Sequence, residues 1–154
     1  MGLGLLLFGF AQITGKAEVW TFQHLFPAPA FQAMQQWTEQ LGAETQFQHL
    51  PAPGQMALFA LLGTLVAPVG EEIFFRGLIV NALKKRGNVR FRIIVSALLF
   101  AVVHVSPLSV LILFGMGLML AWAYEKTGSL WVPILMHAVN NGLAFLFLAS
   151  TLHF

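Results

Sequence analysis

From Gln55 to the C-terminus the chain is a series of long apolar blocks, and the few breaks between them define the elements. Met56 to Leu83 reads as one long helix, interrupted only by Pro68 and the cluster Gly70, Glu71, Glu72. Such a helix is about 42 Å long, more than the ~30 Å hydrocarbon core of a bilayer. A tilt, or a kink at Pro68, is expected to absorb the excess. A basic stretch follows, with Lys84, Lys85, Arg86, Arg90 and Arg92. Phe91 to Val105 is a short second helix ended by Ser106 and Pro107. Leu108 to Tyr124 is a third, in which Gly115 and Gly117 allow close backbone approach. Glu125 to Ser129 reads as a polar turn. Trp131 to Leu152 is a fourth helix with Pro133 in its first turn, where proline is tolerated.

The upstream part differs. Leu3 to Ile13 is apolar but too short to cross a bilayer alone, which takes roughly 20 residues. It has no basic n-region and no small-residue cleavage site, so it is not read as a signal peptide. Gly15 to Gly54 is polar and rich in Gln, with elbows at Pro27, Pro29, Pro51 and Pro53. Between the elbows Phe31, Met34, Trp37 and Leu41 recur at helical spacing, the pattern of an amphipathic helix at the membrane interface with Trp37 as anchor. The chain therefore divides into residues 1–54, an apolar segment plus connector, and residues 55–154, a membrane-embedded domain.

Composition excludes a soluble domain. Of the 154 residues 58% are hydrophobic and 9% charged, with no Asp at all, against the roughly 25% charged residues of soluble domains. The absence of cysteine removes disulfides, thiolate zinc sites and thiol nucleophiles. Five of the eight cations lie between Lys84 and Arg92. That is a topology signal, not a nucleic-acid footprint, and it places this loop on the cytoplasmic side. The expected architecture is an all-α, polytopic transmembrane bundle of about four membrane helices, in the plasma or inner membrane if the source is bacterial.

Ionisable groups inside a membrane helix cost at least ~2.5–3.5 kcal/mol each at the centre, so each needs a reason. Glu71, Glu72 and Arg76 lie in the first long helix, His104 ends the second, and His137 and Asn141 lie in the fourth. Glu72 and Arg76, four apart, share a face and can pair; Glu71 points about 100° away. Glu71 stands about 20 Å along its helix from Lys84, His104 about 18 Å from Arg92, and His137 and Asn141 about 10 and 15 Å into theirs. Each has an ordinary structural explanation: a buried ion pair, a histidine at the far interface, an asparagine as interhelical glue. Their overlapping depth on three helices instead predicts one shared site.

The blocks Glu71-Glu72-Ile73-Phe74-Phe75-Arg76, Phe100-Ala101-Val102-Val103-His104 and His137-Ala138-Val139-Asn140-Asn141 resemble the EExxxR, FxxxH and HxxxN motifs of the CPBP family. That family contains the CaaX prenyl endopeptidases of the Rce1 type and the bacterial Abi group. All three motifs occur in order on separate helices, and the resemblance runs from Gln55 to about Leu152. It implies an intramembrane endopeptidase acting on a peptide or protein substrate, membrane-anchored or prenylated in one branch. It implies Glu71 as the catalytic glutamate, His104 as its partner in activating water, and His137 with Asn141 at the oxyanion. Glu72 and Arg76 complete the first motif.

The chemistry can be read from the residues as well. A carboxylate in a bundle can deprotonate water as general base, and a histidine can pass the proton to the leaving amine. An amide and an imidazole N–H can hold a tetrahedral oxyanion where water is scarce. Alternatively, Glu71, His104 and His137 form an O,N,N ligand set for Zn²⁺ with an open fourth position, the (metallo)endopeptidase variant. The reading favours glutamate-activated water, which needs no cofactor. The rivals are a haem held by His104 and His137, which leaves the carboxylates unexplained, a proton-conducting bundle, and a non-proteolytic immunity or scaffold member of the same family.

Overall fold

The computed structural model describes residues 9, 16, 17, 19–45 and 53–151. Most of the apolar stretch from Leu3 to Ile13 lies outside them. Every regular element among the described residues is helical. We label the helices α1 (19–25), α2 (Ala28–Thr45), α3 (53–83), α4 (Val89–Val103), α5 (Val110–Thr127) and α6 (Trp131–Thr151).

Local chemistry explains where the boundaries depart from the apolar pattern. α4 begins at Val89 because the Asn88 side chain caps it, accepting from the Phe91 amide at 2.9 Å. α5 continues through Glu125 to Thr127, so the polar turn expected from Glu125 onward starts later. Gly128 ends the helix with φ 66°, its amide donating to the Tyr124 carbonyl at 2.8 Å, a left-handed closure that glycine adopts without strain. In this last turn Glu125 meets Arg92 through two contacts, Nε–Oε1 at 2.8 Å and Nη2–Oε2 at 2.9 Å. One of the five clustered cations therefore joins α4 to α5.

α3 does not bend simply at Pro68. It widens into two π-helical stretches, Leu62–Val66 and Ile73–Val80, on either side of the α-helical segment Ala67–Glu72. Insertions of this kind concentrate at functional sites, and this segment carries Glu71 and Glu72. α3 packs against α4, α5 and α6, and α4 packs along α5. The α4–α5 approach is tight at Gly117, where an added Cβ would lie 2.8 Å from Ala97 Cα. Met116, Leu120 and Ala123 of α5 form a core with Met136 of α6.

Outside this core the helices present Leu58, Leu62, Leu65, Ile73 and Leu78 of α3, and Ile94, Leu98 and Val102 of α4. A soluble protein would not expose such an apolar surface. Residues Ala57–Leu83 and Val110–Thr127 are long and apolar enough to cross a membrane, while Trp131–Phe147 is a shorter apolar helix. The architecture is an all-α membrane bundle. α2 occupies the place of the expected amphipathic helix. It buries Phe31, leaves Trp37 half exposed, and rests on the 3₁₀ turn Pro107–Ser109 that links α4 to α5.

Candidate active site

Glu71 and Glu72 are consecutive, so the helix turns them to different neighbours. Glu72 faces the interior and is fully buried. Its Oε1 accepts from Arg76 Nη1 at 2.9 Å, one helical turn on, as the four-residue spacing predicts. The same Oε1 lies 3.0 Å from His137 Nδ1 on α6. Arg76, also fully buried, donates through Nη2 to the Gly117 carbonyl on α5 at 3.0 Å, and its guanidinium lies 4.9 Å from the Phe100 ring centre. A buried charge is tolerable when it is paired, and α5 and α6 both contribute partners here, while Glu72 Oε2 and Arg76 Nε are buried without a hydrogen-bond partner in the protein.

Glu71 turns the other way. Its Oε2 lies 3.7 Å from His104 Nε2 and 3.9 Å from His137 Nε2. The Glu71 and His104 side chains are each about one-third exposed, at 31% and 30%, while His137 is buried. Glu71 Oε2 itself is buried and has no hydrogen-bond partner in the protein. Both rings have their other nitrogen engaged. His104 Nδ1 lies 2.6 Å from the Phe100 carbonyl; a carbonyl only accepts, so Nδ1 carries the proton. His137 Nδ1 likewise donates to Glu72. In the neutral rings each Nε2 therefore presents a lone pair toward the Glu71 oxygen. Phe100 stands behind the site, its ring centre 4.6 Å from that of His104 and 5.7 Å from that of His137.

The backbone beside His104 is unusual. Val105 has φ 51°, a left-handed conformation that a β-branched residue adopts only at a cost. It ends α4 and directs the chain into the Pro107–Ser109 turn. An apolar cleft of about 400 Å³ opens there, lined by Val102 and Val105 and, from the N-terminal helices, Phe22, Met34 and Trp37.

Of the residues singled out in the sequence, Glu71, His104 and His137 meet at one place, and Glu72 with Arg76 supports it from the interior side. Asn141 is directed elsewhere: its Nδ2 donates to the Gly63 carbonyl on α3 at 3.0 Å. Sequence reasoning passed over Ser96, which donates to the Phe75 carbonyl at 3.2 Å and ties α4 to the π-helical part of α3. It also passed over the buried Asn140, whose Nδ2 donates to Asn141 Oδ1 at 3.1 Å. The available signal was a lone polar residue in an apolar run for Ser96, and the place beside Asn141 for Asn140.

Glu71, His104 and His137 have the donor chemistry of an O,N,N zinc site, with Glu71 Oε2 3.7 and 3.9 Å from the two imidazole Nε2 atoms. Among the described residues no group of three His, Asp or Glu side chains is placed to hold a metal ion.

A membrane-embedded helical bundle with a carboxylate and two imidazoles around one space, backed by a buried ion pair, is the class of protein that these observations define. The chain belongs to the Rce1-like family, described as Type II CAAX prenyl endopeptidase Rce1-like, which matches residues 53–143, more than half of its length. It is 34% identical over 84 residues to "Putative membrane peptidase YdiL" of Bacillus subtilis (strain 168), covering 54% of this chain and 34% of that protein. It is 34% identical over 99 residues to "Membrane-embedded CAAX protease MroQ" of Staphylococcus aureus (strain USA300), covering 60% of this chain and 40% of that one. The chain thus spans roughly a third to two-fifths of the length of these curated relatives. No solved structure matches it.

Proposed function

We propose that this chain carries the catalytic machinery of an intramembrane endopeptidase that hydrolyses a peptide bond with water activated by Glu71. The observation that carries this reading is the placement of Glu71 Oε2 at 3.7 and 3.9 Å from two imidazole Nε2 atoms whose Nδ1 protons are already committed. These separations are too long for direct hydrogen bonds and suit groups that act on a molecule between them.

In this mechanism Glu71 takes a proton from water as the oxygen attacks the scissile carbonyl. His104, the more exposed ring, relays that proton to the leaving amine. His137, held by Glu72, turns Nε2 to the same space; a proton taken there from solvent before the attack, and kept on the ring throughout, lets it donate to the oxyanion, with the Glu72 carboxylate stabilising its charge. Arg76 keeps Glu72 in place. No step runs through a metal.

The substrate is a peptide or protein reached within the bilayer. The apolar cleft that starts one residue past His104 suits an apolar or lipid-modified segment, in line with the family description and with the CAAX protease named in Staphylococcus aureus. The loop from Lys84 to Arg92 faces the cytoplasm in this arrangement. The test is cleavage of a fluorogenic lipidated peptide by purified protein in detergent. Glu71→Ala and His104→Ala are expected to abolish turnover while still inserting and folding; full activity in either sinks the mechanism.

A further inference from the structure

The Asn141 contact with Gly63 points to a role outside the chemistry just described. In the π-helical stretch Leu62–Val66 each amide reaches back five residues, and Ala67 N–H bonds to the Leu62 carbonyl. The next amide in that register belongs to residue 68 and would take the Gly63 carbonyl. Residue 68 is proline and has no N–H. The Gly63 carbonyl would thus be left without its donor in a helix that crosses apolar surroundings, where an unmet backbone group costs several kcal/mol. Asn141 Nδ2 meets it at 3.0 Å from a different helix.

We infer that the Asn141 amide replaces the hydrogen bond that Pro68 cannot make, and that Asn141 is a positioning residue which holds the broken turn of α3 from which Glu71 projects. Glu71 lies three residues past Pro68, so the path of the chain through this break sets where its carboxylate points. α6 then grips α3 on both sides of the break, through Asn141 at Gly63 and through His137 at Glu72. The oxyanion role implied by resemblance requires no such partner on α3.

A double-mutant cycle separates the two roles, because Pro68→Ala restores an N–H at the position where one is missing. In the native background Asn141→Ala is expected to lower Tm by about 5–10 °C. In the Pro68→Ala background the loss should shrink to less than half. Gly63 and Thr64 form the only Gly-Thr pair in the sequence, so ¹³C-carbonyl glycine with ¹⁵N threonine isolates the Gly63 carbonyl signal by NMR. That resonance should move upfield in Asn141→Ala.

With a lipidated peptide as substrate, Asn141→Ala should lower kcat more than it raises KM, and less so when Pro68 is alanine. An oxyanion donor would lose the same factor in both backgrounds. If Asn141→Ala does not fold, Asn141→Ser, which keeps a donor on a shorter arm, takes its place. An equal Tm loss in both backgrounds with an unmoved Gly63 resonance overturns the inference. Only the kinetic arm rests on the peptidase reading. Native protein that cleaves nothing would remove that reading, and the thermal cycle and carbonyl signal would still decide the role of Asn141.

Discussion

Glu72 meets His137 at Nδ1, 3.0 Å from Oε1, and so decides which nitrogen of the ring is turned to Glu71. The neighbouring carboxylates thereby have different tasks. One is buried and orients an imidazole, as carboxylates behind histidines do in many catalytic sites; the other faces the space that the imidazole lines. Removing the Glu72 charge leaves Arg76 buried without its counter-charge. Glu72→Gln is expected to destabilise the protein by about 3–5 kcal/mol. Thermal unfolding in detergent would measure this, and an unchanged midpoint would count against the ion-pair reading.

The roles of Glu71 and the metal separate in one assay. With purified protein and a lipidated peptide, Glu71→Gln should reduce turnover by at least about 10²-fold, the usual weight of a general base. Exhaustive treatment with a metal chelator should leave native turnover unchanged. Turnover that disappears on chelation and returns with zinc would replace glutamate-activated water by a metal mechanism.

Gly117 is required for its size. A Cβ there would press on Ala97 at 2.8 Å, and the Gly117 carbonyl accepts from Arg76. Gly117→Ala should cost about 1–3 kcal/mol through overpacking and lower activity by displacing the acceptor that holds Arg76. A Tm equal to that of the native protein would show that α4 and α5 have room to separate.

Arg92 and Glu125 couple the ends of α4 and α5. Arg92→Ala and Glu125→Ala should each lower Tm, and the double variant should lose less than the sum because either change alone breaks the same contact. Strict additivity of the two losses would mean that the pair contributes nothing as a pair. The kinetic constants should be unmoved in all three variants, since this contact lies at the basic-loop end of the bundle.

The all-helical membrane character was legible in the sequence, and so were the polar groups that meet at the candidate site, Glu71, His104 and His137 with the Glu72–Arg76 pair, though not the direction of Asn141. Both rest on properties that a linear pattern carries. Apolar runs of bilayer length can be satisfied only by helices, and an ionisable residue inside such a run needs a partner. The four-residue spacing of Glu72 and Arg76 likewise predicted their contact, because helix geometry is local.

What the sequence could not decide were relations between helices. It placed Glu71, His104 and His137 at similar depth, but rotation about each helix axis determines whether such side chains face one another. Packing sets that rotation, through the Gly117–Ala97 approach and the Arg76 contact to α5. The same holds for Asn141. Its spacing from His137 put the two on one face of α6, yet its partner depended on the helix that packs there and on the carbonyl left open beside Pro68. The π-helical register around Pro68 was equally hidden, because the choice between a simple kink and a widened turn depends on which neighbouring groups can meet the freed carbonyls, and those groups come from distant parts of the chain.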